Sequence, residues 1–259
     1  MAHLWTEKRV VISSDAETLA HDVAERLLVR LIRRSSVGKV SHLALTGGGI
    51  GTEVLRAAGS HPRRAEVDWS TVHLWWGDER FLAPDDEDRN DLAARRALID
   101  HIDIPAQNVH AMATVDEAPD MDAAAAAYAA ELARYGDDEH DWPAFYLCFL
   151  GVGPDGHIAS LFPDRAEIQI TDRSVVPVRD APKPPASRIT LTRPVLNSAR
   201  CVWLVVSGVD KASALGLALA GASYETVPAA GAKGRRRTMF FVDQDAATNV
   251  PLELIDQEF

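Results

Sequence analysis

An imidazole two residues from a carboxylate, on a turn bounded by glycines, is a common arrangement for a general base working near neutral pH. The segment Gly151-Val152-Gly153-Pro154-Asp155-Gly156-His157 offers this arrangement, with His157 as base and Asp155 as its acidic neighbour. Gly151, Gly153 and Gly156 also satisfy the spacing of a dinucleotide fingerprint, G-x-G-x-x-G. Pro154 inside the turn, the late position in the chain and the negative charge of Asp155 argue against a pyrophosphate there. A second loop, Gly77-Asp78-Glu79-Arg80, holds a carboxylate for proton handling and a guanidinium suited to phosphate, with a surface ion pair as the plainer alternative. Thr46-Gly47-Gly48-Gly49-Ile50-Gly51 can bring backbone N–H groups and a helix N-terminus to an anion. Without a Walker lysine it does not suit a nucleoside triphosphate. In Ser207-Gly208-Val209-Asp210-Lys211, a lysine stands in the first turn of a helix, where the dipole disfavours it unless it faces an anion.

These loops need a scaffold, and the periodicity supplies one. Arg9 to Ile12 reads as a strand, followed by a capping-box pattern at Ser14-x-x-Glu17 and a helix carrying Leu19, Val23, Leu27 and Leu31 on one face. Further strands are expected at His42–Leu45, Val72–Trp76, Phe145–Leu150, Val175–Val178, Ile189–Thr192, Cys201–Val206 and Thr238–Val242. Helices are expected at Thr52–Ala58, Asp91–His101, Met121–Tyr135, Pro194–Ser198 and Lys211–Ala220, with an acidic loop after Trp76. Strands alternating with helices, several of them apolar throughout, predict an α/β fold: a mostly parallel, Rossmann-like sheet covered by helices on both faces. Ligands then bind beyond the carboxyl ends of the strands, just after Leu45, Trp76, Leu150 and Val206. No domain-sized linker interrupts the pattern, so residues 1–259 read as a single domain.

The balance of 27 basic against 38 acidic residues, a net charge of −11, disfavours nucleic acid and anionic membranes as partners. The longest apolar runs are of strand length, and Met1 to Ser13 has no secretion-signal pattern, so a cytoplasmic protein is expected. Cys148 and Cys201 fall inside predicted strands and read as buried free thiols. The acidic run at Asp85–Asp88 lacks EF-hand spacing, and Arg235–Arg237 reads as a solvated loop.

With its loops laid out, the chain resembles the 6-phosphogluconolactonase family over nearly its whole length. The resemblance is carried by Gly151-x-Gly-x-Asp-Gly-His157-x-Ala-Ser-Leu-Phe-Pro163, and supported by Gly77-Asp-Glu-Arg80, Arg188-x-Thr-x-Thr192 with Asn197, and Ser207-Gly-x-x-Lys211. The first loop departs from the family, in which many members have a serine before two glycines and a proline soon after. The resemblance implies the sugar-phosphate isomerase/deaminase type of fold and hydrolysis of a sugar-phosphate lactone, with no cofactor or metal and, by expectation, a monomer. It implies His157 as base, with Asp155 or Asp78 orienting it. Thr46, Gly47, Gly48, Gly49, Arg80 and Lys211 would hold the phosphate, and Arg188 and Asn197 would contact the sugar or brace the site. The related glucosamine-6-phosphate deaminases carry an acid five positions after the histidine, where this chain has Phe162. A non-catalytic sugar-phosphate sensor is the alternative from another functional class.

Overall fold

The computed structural model describes residues 8–256. Of the Met1 to Ser13 segment read for a targeting signal, residues 1–7 lie outside that range. Strand β1 (Lys8–Ser13) leads into helix α1 (Ala16–Ser35), whose Leu19, Val23, Leu27 and Leu31 are buried on one face as their spacing predicts. The cap of α1 differs from the capping-box reading. Asp15, in extended backbone, accepts a hydrogen bond from Thr18 N at 2.8 Å, and the Ser14 hydroxyl donates to Asp15 at 2.7 Å. A carboxylate at the cap satisfies an orphan N–H and also meets the positive end of the helix dipole.

The chain continues through β2 (Ser41–Leu45), α2 (Gly49–Ser60), β3 (Val72–Trp76), β4 (Asp78–Arg80), α3 (Asn90–Ala97), β5 (Val109–His110) and α4 (Met121–Ala133). Then follow β6 (Phe145–Gly151), β7 (Val175–Val178), β8 (Arg188–Leu191), α5 (Arg193–Ser198), β9 (Cys201–Val206), α6 (Ala212–Leu219) and β10 (Arg237–Asp243). Seven strands form a parallel sheet in the order β1-β10-β9-β6-β2-β3-β5. Helix α1 lays Arg34, Arg30 and Arg26 over the rings of Tyr146, Trp203 and Phe241 on one face. Helix α4 brings Tyr128 and Glu131 against Trp75 and His110 on the other. The run Phe145–Leu150 is apolar because both its faces are covered. A register shift beside His42 lets Phe145 meet Trp75 while Phe149 meets Trp203.

Two features depart from the sequence reading. Asp78–Arg80, expected in a loop, is a short strand, and it pairs antiparallel with β8, which pairs antiparallel with β7. The strand runs at Val175–Val178 and Arg188–Leu191 therefore build a separate three-stranded sheet, order β4-β8-β7, instead of extending the parallel one. Asp78, Glu79 and Arg80 are held in register with Thr190, Ile189 and Arg188. Residues after β3 that would wander in a loop are thus fixed to a backbone ladder beside the parallel sheet.

Candidate active site

Strand order in the large sheet reverses between β2 and β6, and at such switch points a crevice opens beyond the carboxyl ends of the strands. A cavity of about 460 Å³ lies there, lined by the loops that follow β2, β3, β6 and β9. Thr46 bridges the two central loops, its Oγ1 accepting from Gly151 N at 3.2 Å and donating to Gly47 O at 3.4 Å.

His157 is set by a tight turn in which Gly156 N donates to Gly153 O and Gly153 N to His157 O. A Cβ on Gly153 would stand 2.0 Å from His157 Nδ1, so only glycine lets the imidazole fold back over the turn. Nδ1 lies 2.6 Å from Asp155 Oδ1, and Phe162, fully buried, packs against the ring at 4.6 Å between centroids. An ionised Asp155 accepts from Nδ1–H and so fixes the tautomer with its lone pair on Nε2. Among the described residues no group hydrogen-bonds Nε2, and His157 lines the cavity. Burial pushes the imidazole pKa below its usual value, opposed by Asp155 and Asp78 and reinforced by the Lys183 ammonium.

Asp78 occupies the wall of the cavity and makes no direct bond to the imidazole. Its Oδ2 accepts from the Ser160 hydroxyl at 2.6 Å and lies 3.9 Å from Arg188 Nη1, while its backbone carbonyl accepts from Asn90 Nδ2. Orientation of His157 therefore falls to Asp155, with Asp78 acting on it only through space. Next to Asp78, the buried Glu79 turns inward and accepts from the backbone N–H groups of Arg80, Asn90 and Asp91. Helix α3 has no side-chain cap of its own, so Glu79 satisfies its first donors from a neighbouring strand. Burial pushes the Glu79 carboxyl up to about 7, against the pull of Arg89 and the backbone donors.

The opposite side of the cavity suits an anion. Gly48, at φ +82° where a side chain would be strained, swings the chain into α2 with no side-chain cap, and Gly47, Gly48 and Gly49 line the cavity. Arg80 lines it too: one guanidinium nitrogen donates to Asp88 O, while its buried Nε has no partner among the described residues. An unpaired buried donor of a cation is costly unless a ligand meets it. Lys211 reaches the same cavity, with Asp210 holding its ammonium at 2.6 Å.

Not every residue expected at the site is free to bind. Asn197, on α5, is absent from the cavity wall. Its amide donates to Gly231 O and its carbonyl accepts from Lys233 N, so of the two expectations, sugar contact or brace, its bonds among the described residues are those of a brace for that loop. Arg188 borders the cavity, yet its guanidinium is gripped by backbone: Nε donates to Pro185 O, and Nη2 to Lys183 O and Pro184 O. Three contributors escaped the sequence reading. Ser160 lies inside the His157 motif without a signal of its own, and Asn90 follows an acidic loop with no pattern around it. Lys183, in the proline-rich segment after β7, places its ammonium 3.1 Å from Asp155 Oδ1. Among the described residues no group of three or more His, Cys, Asp or Glu side chains is arranged to hold a metal ion.

A family model described as glucosamine-6-phosphate isomerases/6-phosphogluconolactonase matches residues 14–241. The 6-phosphogluconolactonase of Streptomyces coelicolor is 43% identical over 250 residues, spanning 95% of this chain and 96% of its own. That of Mycobacterium tuberculosis is 43% identical over 244 residues, spanning 93% and 98%. Among solved structures, the 6-phosphogluconolactonase of Trypanosoma cruzi superimposes with a TM-score of 0.82 at 24% identity, over 96% of this chain and 99% of that one. A monomeric glucosamine-6-phosphate deaminase superimposes at 0.76 with 19% identity, over 93% and 99%. At such identities the two structures show a common fold.

Proposed function

Since the chain belongs to the family of glucosamine-6-phosphate isomerases and 6-phosphogluconolactonases, we propose that it hydrolyses 6-phosphoglucono-1,5-lactone to 6-phosphogluconate in the pentose phosphate pathway. The observation that carries this choice within the family is the surroundings of the base. His157 has a carboxylate on Nδ1 and the buried ring of Phe162 against its side, where the deaminase reading asks for a second acid. A lactone carbonyl is already electrophilic, so one positioned base and a phosphate anchor suffice for the chemistry.

In this reading neutral His157 takes a proton through Nε2 from a water that attacks C1 of the lactone. The C1–O5 bond then breaks and the imidazolium returns the proton to O5, leaving the open-chain acid. Asp155 stabilises the imidazolium as it forms. The N–H groups at Gly47, Gly48 and Gly49, with Arg80 and Lys211, hold the phosphate; Thr46 fixes their loop against Gly151, and Arg188 braces the wall beside Asp78. The same reading has residues 1–259 acting as one domain and a monomer in the cytoplasm, with a sugar-phosphate lactone as ligand and no cofactor, metal, nucleic acid or membrane. The net charge of −11 supports its indifference to polyanions, and among the described residues no helix is long and apolar enough to cross a membrane.

The test uses freshly generated 6-phosphogluconolactone with spontaneous hydrolysis subtracted, and glucosamine 6-phosphate in parallel. Accelerated loss of the lactone with no ammonia released above background is the expected result. Ammonia release at a rate comparable to lactone loss would assign the chain to the deaminases, and binding without turnover of either compound to the sensors.

A further inference from the structure

Between β7 and β8 the chain runs through Ala181-Pro182-Lys183-Pro184-Pro185, and this strap is tied down from one side by Arg188. Its guanidinium accepts no freedom of its own: it donates to the carbonyls of Lys183, Pro184 and Pro185 and, through Nη1, lies 3.4 Å from the Ser160 hydroxyl. The clamp fixes the backbone of Lys183 and of the two prolines after it to Arg188. From there the Lys183 ammonium stands 3.1 Å from Asp155 Oδ1 and 3.4 Å from His157 Nδ1. Lys183 does not line the cavity. A cation so placed meets the back of the imidazole, the side that faces the carboxylate, and not the side that faces substrate.

We propose that Lys183 is a positioning residue for the general base, pinning Asp155 against Nδ1 and keeping the His157 imidazole unprotonated, and so ready to act, in more acidic conditions than Asp155 alone would permit. The proposal rests on the reading of His157 as the base. One oxygen of Asp155 receives two donors, Nδ1–H of His157 and Nζ–H of Lys183, so the carboxylate cannot rotate away without losing both. Asp155 by itself would draw a proton onto the imidazole. An ammonium at hydrogen-bond distance from that carboxylate offsets its charge and lies close enough to Nδ1 to oppose a second positive charge on the ring. The charged groups acting on the imidazole are Asp155 from its own loop, Lys183 from the strap and Asp78 from the start of β4. Lys183 is the one cation among them, and it acts on Asp155 as well: against the opposing effect of burial, His157 first and Lys183 second hold that carboxyl below its ordinary range.

Two measurements on the full chain test this. The first follows the His157 ring resonances by NMR through a pH titration without substrate, assigned by their loss in His157→Gln, in the parent and in Lys183→Met, Lys183→Gln and Lys183→Arg. The second records kcat/KM on the lactone against pH for the same proteins. Removal of the charge is expected to raise the His157 midpoint by about half to one pH unit, to move the acid limb of kcat/KM upward by the same amount, and to leave KM little changed. Lys183→Arg is expected to return both towards the parent. An imidazole that titrates as in the parent in folded Met and Gln variants overturns the proposal. A raised KM with an unmoved limb also overturns it, by assigning Lys183 to substrate binding. Failure of both neutral variants to fold overturns it in favour of a structural role. A shifted imidazole with an unshifted limb upholds the link between Lys183 and His157 and removes His157 from the base role instead.

Discussion

His157 sits where two opposing effects meet: burial disfavours its charged form, and the Asp155 carboxylate favours it. Burial wins, so the neutral, base-competent ring persists below the ordinary histidine midpoint of about 6.5. The rate should accordingly rise with pH along an acid limb centred below that value, since a base works only above its own pKa. In His157→Ala that limb should vanish and kcat/KM should fall by roughly a hundredfold to ten-thousandfold, the range for a lost proton-transfer group. A folded variant that keeps more than about a tenth of parental activity would remove His157 from the role, since that loss lies far outside the range. Arg80 tests the other end of the cavity. A charge-assisted hydrogen bond contributes about 1.5 to 3 kcal/mol, so Arg80→Ala should lower kcat/KM on the phosphorylated lactone by about tenfold to a hundredfold. Unphosphorylated gluconolactone, turned over poorly by the parent, should be nearly insensitive to the change. Equal losses on both lactones would mean that Arg80 shapes the site instead of binding phosphate.

At the scale of elements, the site depends on the junction of β4 and α3. Glu79 ties the first N–H groups of α3 to β4, and Arg89, just before the helix and fully buried, bonds Asp91 Oδ1 at 2.8 Å, Met112 O at 2.9 Å and Arg80 O at 3.2 Å. Its Nη2 also faces Glu79 Oε2 at 3.7 Å. One cation thus holds the backbone of Arg80 in the cavity wall, a helix N-terminus and the strand edge that carries Asp78. Removing one partner of a buried ion pair leaves the other uncompensated, at a cost of about 3 to 5 kcal/mol. Arg89→Met should therefore lower Tm by on the order of 10 °C, with activity falling further than stability alone accounts for at temperatures where the variant remains folded. Thermal unfolding followed by circular dichroism decides it; a shift of only a degree or two would show that the network relaxes around the gap.

At the scale of the whole molecule, three further histidines with lowered midpoints stand together outside the cavity wall. His42, His73 and His110 stand on the adjacent strands β2, β3 and β5, with ring centroids 4.6 Å and 5.3 Å apart in succession, and Trp75 stacks on His110. Tyr135 covers all three edge-on, and Glu131 of α4 bonds His110 Nδ1. Burial and mutual repulsion push His42 down to about 3, and burial pushes His110 down to about 4 in spite of Glu131; burial lowers His73 as well. Folded midpoints below the unfolded value mean that stability is fully present above about pH 6.5 and is lost as the pH falls towards the folded midpoints. Allowing for partial solvent screening of the rings, the loss between pH 7 and pH 5 should be roughly 2 to 4 kcal/mol. Urea midpoints at the two pH values measure it. His42→Gln, which retains an acceptor for the Trp75 indole N–H, should show a shallower decline, and an unchanged slope would place the acid-sensitive groups elsewhere.

The features legible along the chain are those whose information is local. The helix-period stripe of α1, the apolar runs of β6 and β9, and the glycine turns after β2, β6 and β9 reflect burial and backbone sterics acting within a few residues, and they led to the edge of the sheet where the cavity lies. The pairing of Asp155 with His157 was legible because the partners are two residues apart. The remaining features depend on contacts between distant segments. Asp78–Arg80 carries too few residues to announce a strand, and it becomes one because β8 supplies a ladder more than a hundred positions later. Asn197 and Arg188 share a motif in sequence, but the loop at Gly231 occupies the first and the proline strap the second. Lys183 has no pattern around it, and its place behind Asp155 follows from the grip of Arg188 on the strap. The histidine ladder escapes notice for the same reason. His42, His73 and His110 are each unremarkable along the chain; the parallel register sets His42 opposite His73 and His110 opposite Trp75, and with neighbouring strands about 4.8 Å apart the His110 ring also comes within stacking distance of His73.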